Sequence, residues 1–302
     1  MLLLILRRET VCNFAITGVA GYIAPRHLKA IKDTKNNLVA ALDPHDSVGI
    51  LDRYFKNVSY FREPERFDRY LEKKKNSSDK IDYVSICSPN YLHDSHIRMA
   101  LRVGADVICE KPLVLNPWNC DSLVLLEKEY GKKINTVLQL RNHPSIISLK
   151  DKYQNSNGKH QIDLTYITSR GPWYLYSWKG DIEKSGGLIS NIGVHFFDML
   201  IWIFGEVENY GVEINEQDIA VGSLELERAS VNWKLSINEM NLPKGCDQST
   251  FRSITVDGEE VEFSGGFTDL HTEVYKDILS GGGFGVLDVK PTIELVHNLR
   301  NL

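Results

Sequence analysis

Val107-Ile108-Cys109-Glu110-Lys111-Pro112-Leu113 is a short apolar run that stops abruptly at an acid, a base and a proline. Asp106 to Cys109 carries the β-branched content of a strand buried on both faces. Glu110 and Lys111 then stand at its carboxyl end, where open α/β sheets place their ligands. Pro112 lacks a donor and fixes φ, so the chain must turn there, and an X-Pro bond is where a cis peptide is tolerated. The run is expected to be the last strand of a nucleotide-binding sheet, with a held lysine at its tip.

Upstream, Phe14-Ala15-Ile16-Thr17 leads into Gly18-Val19-Ala20-Gly21-Tyr22-Ile23-Ala24 and a helix through Arg26, Leu28, Ala30 and Ile31. This is a dinucleotide loop with a variation: Gly18 and Gly21 are one residue further apart than in G-x-G-x-x-G, and Ala24 fills the third place. The next strand, Leu38 to Leu42, ends in Asp43. A carboxylate there binds both ribose hydroxyls and repels a 2′-phosphate, which predicts NAD over NADP. The alternation continues with a helix from about His45 to Tyr54, a strand near Val58 to Phe61, a helix from Pro64 and a buried strand from Ile81 to Cys87. Asn90, on the turn that follows, suits both a helix cap and a contact with the nicotinamide side of a cofactor. Pro117 to Tyr130 reads as a helix stopped by Gly131.

Past residue 135 the pattern changes. Ile162 to Tyr166 and Ala229 to Ile237 alternate apolar with polar, as in an open, mostly antiparallel sheet with one wet face. The expected fold is α/β: an NAD-binding Rossmann domain over 1–135 with a doubly wound parallel sheet, and an α+β domain over 136–302 for substrate and oligomer contacts. The wet sheet face suggests a homo-oligomer.

The chain has 302 residues, 42% hydrophobic and 25% charged, enough for two domains with cores of their own. A net charge of −5 gives no basic field for nucleic acid, so an anionic ligand must be met by a few local cations. Five cysteines, Cys12, Cys87, Cys109, Cys120 and Cys246, show no metal spacing and point to a reducing cytoplasm without disulfides or metal. Met1 to Leu6 is apolar but too short to span a bilayer, and it is expected to be loose rather than a targeting or membrane segment.

The second chemical cluster is Ser185-Gly186-Gly187-Leu188-Ile189-Ser190-Asn191-Ile192-Gly193-Val194-His195-Phe196-Phe197-Asp198. Asn191, His195 and Asp198 recur at i, i+4 and i+7, so one helix face is expected to carry all three, with Asp198 orienting His195. Arg170 and Lys179 flank Trp173, Tyr174 and Trp178. With Arg141 they offer charge for a carboxylate or diphosphate and rings for stacking. Which cation meets which anion stays open.

The glycine loop, Glu110-Lys111-Pro112, the Gln139, Arg141, His143-Pro144 stretch and the Gly193, His195, Asp198 helix together resemble the Gfo/Idh/MocA family of NAD(P)-dependent sugar oxidoreductases. More narrowly, Arg170 to Tyr174, Ser177 to Gly180, Asn191 to Asp198, Phe251 to Gly258 and Phe267 to Thr272 are similar to the branch that oxidises UDP-N-acetyl-2-amino-2-deoxy-D-glucuronate (UDP-GlcNAcA) at C3. In that branch the ketone precedes a 2,3-diacetamido uronic acid of bacterial surface polysaccharide. The resemblance implies Lys111 and His195 as catalytic residues, Lys111 holding the C3 hydroxyl and His195 taking its proton. It implies a cofactor site of Gly18, Gly21, Tyr22, Ile23, Asp43, Ser88, Asn90, His93, Glu110, Lys111 and Gln139. The substrate would meet Lys111, Arg141, Arg170, Trp173, Tyr174, Lys179, Asn191 and His195. The family commonly has Asp where Asn191 stands here, and an amide is no general base, so that task falls to His195. The competing readings are a polyol dehydrogenase such as one for myo-inositol, and a non-catalytic nucleotide sensor on the same fold.

Overall fold

The computed structural model describes residues 11–246, 248–261 and 269–302. Met1 to Leu6, and Phe267 and Thr268 of the last motif, lie outside the described residues.

The first half is a six-stranded sheet with order β3-β2-β1-β4-β5-β6, all pairs parallel. Its elements run β1 (Asn13–Thr17), α1 (Ala24–Asp33), β2 (Asn37–Leu42), a one-turn α2 (Leu51–Tyr54), β3 (Ser59–Phe61), α3 (Pro64–Lys74), β4 (Tyr83–Ile86), α4 (His93–Arg102), β5 (Asp106–Cys109), α5 (Pro117–Tyr130) and β6 (Ile134–Thr136). Successive strand residues feed opposite faces, as the twofold period requires. Ala15, Val84, Ile86 and Val107 pack with Phe67, Ile97 and Leu123 on one side, and Phe14, Ile16, Leu38 and Ile108 pack with Leu28 and Ile31 on the other.

Three expectations are corrected here. The strand ending in Glu110 is not the last, because the three-residue β6 lies outside it. The helix expected over His45 to Tyr54 shrinks to the turn at Leu51–Tyr54. Asp43 Oδ1 accepts the His45 N–H at 2.9 Å, an Asx turn that competes with helix ahead of Val48. Asn90 caps no helix, since its amide bonds across the cleft instead.

The second half begins after α6 (Pro144–Tyr153) and holds β7 (His160–Thr168), α7 (Trp173–Tyr176), α8 (Ile182–Ser185), α9 (Val194–Phe204), β8 (Val207–Asn215), β9 (Ile219–Leu226), β10 (Ala229–Ser236), β11 (Thr250–Val256), β12 (Glu259–Glu260), α10 (Leu270–Leu279) and α11 (Val286–Arg300). The sheet order is β12-β11-β7-β10-β9-β8, antiparallel except that β7 and β10 run parallel. Leu164, Trp233, Leu235 and Ile254 bury one face against Phe197, Leu200, Ile203 and Phe204 of α9. Gly193 makes this close approach possible, because a Cβ there would come within 2.6 Å of the Phe197 ring and 2.8 Å of Leu235. The apolar run Ile182–Phe204 is long enough to cross a bilayer, yet 72% of its most apolar window is buried inside the protein as this core.

The last helices recross the expected boundary at residue 135. Val274, Tyr275 and Ile278 of α10 belong to the α1 side of the parallel sheet, and Val289 and Ile293 of α11 to its other side. A cut at 135 would strip both faces of the parallel sheet of part of their cover.

Candidate active site

A cleft of about 1670 Å³ runs along the carboxyl ends of the parallel strands and onto the mixed sheet. At one end the glycine loop turns from β1 into α1. Gly18 has φ +75° and donates its N–H to Leu42 O at 2.8 Å, and a Cβ there would lie 2.5 Å from the Cys87 backbone, so only glycine fits. Asp43 ends β2 with its carboxylate held by two backbone donors, Ala20 N–H on Oδ2 and His45 N–H on Oδ1, both at 2.9 Å. Gly18, Gly21, Tyr22, Ile23 and Asp43 all line this end. A glycine turn opening onto a helix N-terminus, with an acid at the end of the next strand, has the donor and acceptor set that a dinucleotide needs.

Mid-cleft, β5 delivers Glu110 and Lys111 and the chain turns at a cis Lys111–Pro112 peptide. Lys111 Nζ donates to the Asn191 carbonyl at 2.9 Å. Burial lowers the lysine pKa to about 8; Glu110 opposes the shift, and Lys179 and Arg170 reinforce it. Asn191 sits in a π-helical turn, Ile189–Gly193, that runs into α9. Its amide accepts from Asn90 Nδ2 at 3.4 Å and donates to Tyr174 Oη at 2.6 Å. His195, one turn on, lines the same wall. Its pKa falls well below 6.5, first through burial and then through the Lys111 charge, so the ring is a neutral imidazole able to accept a proton.

The far end is cationic and aromatic. Lys179 Nζ lies 5.0, 5.8 and 5.5 Å from the ring centroids of Trp173, Tyr174 and Trp178. Arg170 stands beside them on the wall, and Trp173 and, at the cofactor end, Tyr22 remain 53% and 80% exposed. Open aromatic faces around cations suit a planar base and an anionic sugar.

The cleft gathers sixteen of the eighteen expected site residues, among them Ser88, Asn90, Glu110 and Gln139. It does not gather Arg141 or His93. Arg141 is buried in a two-pronged pair with Asp198, Nε to Oδ2 at 2.9 Å and a terminal nitrogen to Oδ1 at 2.8 Å. That pair also removes Asp198 from His195. The shared face breaks within α9 itself, where residues three apart stand about 60° apart around the axis, so Asn191 and His195 meet the cleft while Asp198 turns to Arg141 and Thr292. His93 is fully buried, its Nδ1 and Nε2 lying 2.8 and 2.9 Å from the carbonyls of Pro112 and Ser88, so it braces the β4 and β5 turns.

Sequence reasoning also missed wall residues. Tyr166, Thr168, Thr250, Phe251 and Arg252 reach the cleft from β7 and β11, with the Arg252 guanidinium 5.5 Å from the Tyr166 ring. The mixed sheet of the domain expected to bind substrate therefore supplies part of the site through its own strands. The signal for Phe251 and Arg252 was the Phe251 to Gly258 motif, which sets an arginine beside an aromatic at the start of an apolar-polar alternation.

The family models agree with this geometry. Residues 12–137 match the oxidoreductase family with an NAD-binding Rossmann fold, and 159–283 match its C-terminal α/β domain. The chain belongs to the Gfo/Idh/MocA oxidoreductase family.

Among solved members of that family, a WlbA (WbpB) dehydrogenase from Thermus thermophilus in complex with NAD and UDP-GlcNAcA is 49% identical, with a TM-score of 0.94 over 97% of this chain and 95% of that one. The same dehydrogenase with NAD and α-ketoglutarate gives 50% identity and a TM-score of 0.94, covering 97% and 96%. The 2,7-anhydro-N-acetylneuraminate hydratase of Mediterraneibacter gnavus is 27% identical over 75% of this chain, and the match spans only 59% of that enzyme.

Proposed function

We propose that this Gfo/Idh/MocA member oxidises the C3 hydroxyl of UDP-GlcNAcA to the 3-keto sugar with NAD. The observation that carries this reading is near-complete alignment at 49% identity with a dehydrogenase solved with both molecules. The cleft supports it independently, with an acid-tipped dinucleotide end, a lysine and a neutral histidine at its middle, and cations among aromatics at the far end.

The residues divide the work by charge. Gly18, Gly21, Tyr22, Ile23 and Asp43 would hold the adenosine and diphosphate side of NAD, and Ser88, Asn90, Glu110 and Gln139 would border its nicotinamide. NAD, when bound, takes up the hydride from the carbon being oxidised. Lys111, as an ammonium, donates to the C3 oxygen and steadies negative charge as it develops. His195, neutral, accepts the hydroxyl proton. Asn191 fixes Lys111 through its carbonyl and joins Asn90 and Tyr174 through its amide. Arg170 and Lys179 pair with the uronate carboxylate and the diphosphate, while the exposed Trp173 offers a stacking face and Tyr174 backs the wall.

The reading extends to a cytoplasmic homo-oligomer, a homotetramer or another closed assembly, feeding surface-polysaccharide synthesis such as O-antigen. Support for an assembly is the solvent-facing side of the mixed sheet, where β9 and β10 alternate buried and open positions. The purified protein with NAD should be offered UDP-GlcNAcA, UDP-N-acetylglucosamine and myo-inositol separately, and mass spectrometry should follow loss of two hydrogens. Oxidation of the uronate alone is expected; oxidation of inositol would overturn the substrate assignment, and tight binding without oxidation would favour a sensor.

A further inference from the structure

Behind Lys111 lies a set of side chains of which the reaction above uses only Glu110, at the nicotinamide edge. Ser85 Oγ on β4 is 2.6 Å from Tyr275 Oη on α10, which is 2.8 Å from Nδ1 of His27 on α1. His27 Nε2 and His271 Nε2 lie 2.9 and 3.0 Å from one atom, Oε1 of Glu110. All five residues are buried. They come from four elements, α1, β4, the end of β5 and α10, and they converge on the glutamate that precedes the catalytic lysine.

Proton bookkeeping fixes the direction of every bond. An ionised carboxylate only accepts, so both Nε2 atoms donate to it. In a neutral imidazole, His27 Nδ1 then accepts, so Tyr275 O–H donates to His27 and Ser85 O–H donates to Tyr275. Protonating Glu110 would require a histidine beside it to change tautomer, which for His27 also reverses the Tyr275 and Ser85 hydroxyls. Burial alone would raise its pKa, but the two imidazole donors hold the carboxyl well below its ordinary range. His27 itself is kept neutral by burial. The other ionisable groups coupled to Glu110 are Lys111, His93 and His195, both histidines lowered by burial, and the thiols of Cys87 and Cys109, raised by burial and therefore uncharged.

We propose that the Ser85–Tyr275–His27–Glu110–His271 network is a positioning device that keeps Glu110 a fixed anion behind Lys111, and that this anion keeps the lysine protonated where it meets the substrate hydroxyl. Lys111 is faced by Glu110 from its own turn, by Lys179 and Arg170 from the loop after β7, and by His195 from α9. Glu110 is the only anion in that group. The role assigned to Lys111 rests on the dehydrogenase reading, but the charge coupling is measurable without substrate.

Two measurements on the full chain test it. Acylation of Lys111 by acetic anhydride, followed across pH by peptide mass spectrometry, reports the neutral amine directly. The midpoint should fall near 8 in the unaltered protein and about one unit lower in Glu110→Gln. An unmoved midpoint in a folded Glu110→Gln protein would overturn the proposal. Should that variant fail to fold, ¹⁵N spectra of the unaltered protein decide: His27 should be a neutral Nε2–H tautomer from pH 6 to 9. A His27 imidazolium, an Nδ1–H tautomer of His27, or loss of its Nε2 proton to a metal held by His27, Glu110 and His271 would each overturn it. Failure of UDP-GlcNAcA oxidation touches neither readout, so the two ideas fail separately.

Discussion

Lys111 and Asn191 meet across the seam between the two sheets, the lysine Nζ donating to the asparagine carbonyl at 2.9 Å. One comes from the end of a parallel strand and the other from a π turn ahead of α9. A π turn breaks the regular i→i+4 pattern, so a carbonyl there is open to a partner from outside the helix. The bond holds the ammonium on the cleft wall that also carries His195.

The pH dependence of turnover follows from this pair. Lys111 works protonated with a pKa of about 8, so kcat should fall as pH rises above that value. His195 works neutral, and its pKa lies well below 6.5, so kcat should stay flat from about 8 down through 6.5. NADH formation under saturating substrate measures both limbs. His195→Ala should cost roughly 10²- to 10⁴-fold in kcat. Normal turnover in that protein, or an acid limb near neutrality, would sink the assignment of the base.

Asp43→Ser should weaken NAD by about tenfold or more, because the ribose loses its carboxylate partner and Ala20 and His45 lose the oxygens that organise the loop. Discrimination against NADP should shrink in the same protein, since the repulsion of a 2′-phosphate goes with the charge. Calorimetric titration with each nucleotide checks both halves, and an unchanged NAD affinity would remove Asp43 from the cofactor site.

Much of this site was legible in the sequence because its signals are local. Pro117 and Gly131 bracket α5 at its start and just beyond its last residue, and the glycine loop and the Glu110-Lys111-Pro112 turn lie at strand ends, where pattern and chemistry coincide. What escaped has physical causes. The three residues of β6 are too few to show a period. Asp198 was grouped with His195 by helical spacing, but its partner Arg141 comes from another segment, which no period reveals. His27, Glu110 and His271 meet only through tertiary packing, and Arg141 sits in a motif that also carries the cleft residue Gln139.

Arg170→Leu should raise KM for the nucleotide sugar roughly 10- to 100-fold while leaving NAD binding near its original value. Lys179→Met should act in the same direction, and it also takes the cation out of the cage formed by Trp173, Tyr174 and Trp178. Steady-state kinetics with each substrate varied in turn separates the effects. A rise confined to the NAD constant would move Arg170 out of the substrate end.

Arg141 tests the opposite case, a cation whose work is structural. Its guanidinium pairs with Asp198 on α9, donates to the Asp288 carbonyl of α11 at 3.1 Å and lies 4.8 Å from the Phe284 ring, tying three segments together. Burial already pushes the Asp198 pKa up despite this partner. Arg141→Leu would leave that carboxylate without its cation, and breaking a buried pair from one side costs about 3–5 kcal/mol. Urea unfolding should register a loss of that size, while KM for the nucleotide sugar in the folded fraction stays within about twofold of its original value. The converse, a stable protein with a KM raised tenfold or more, would return Arg141 to the substrate site.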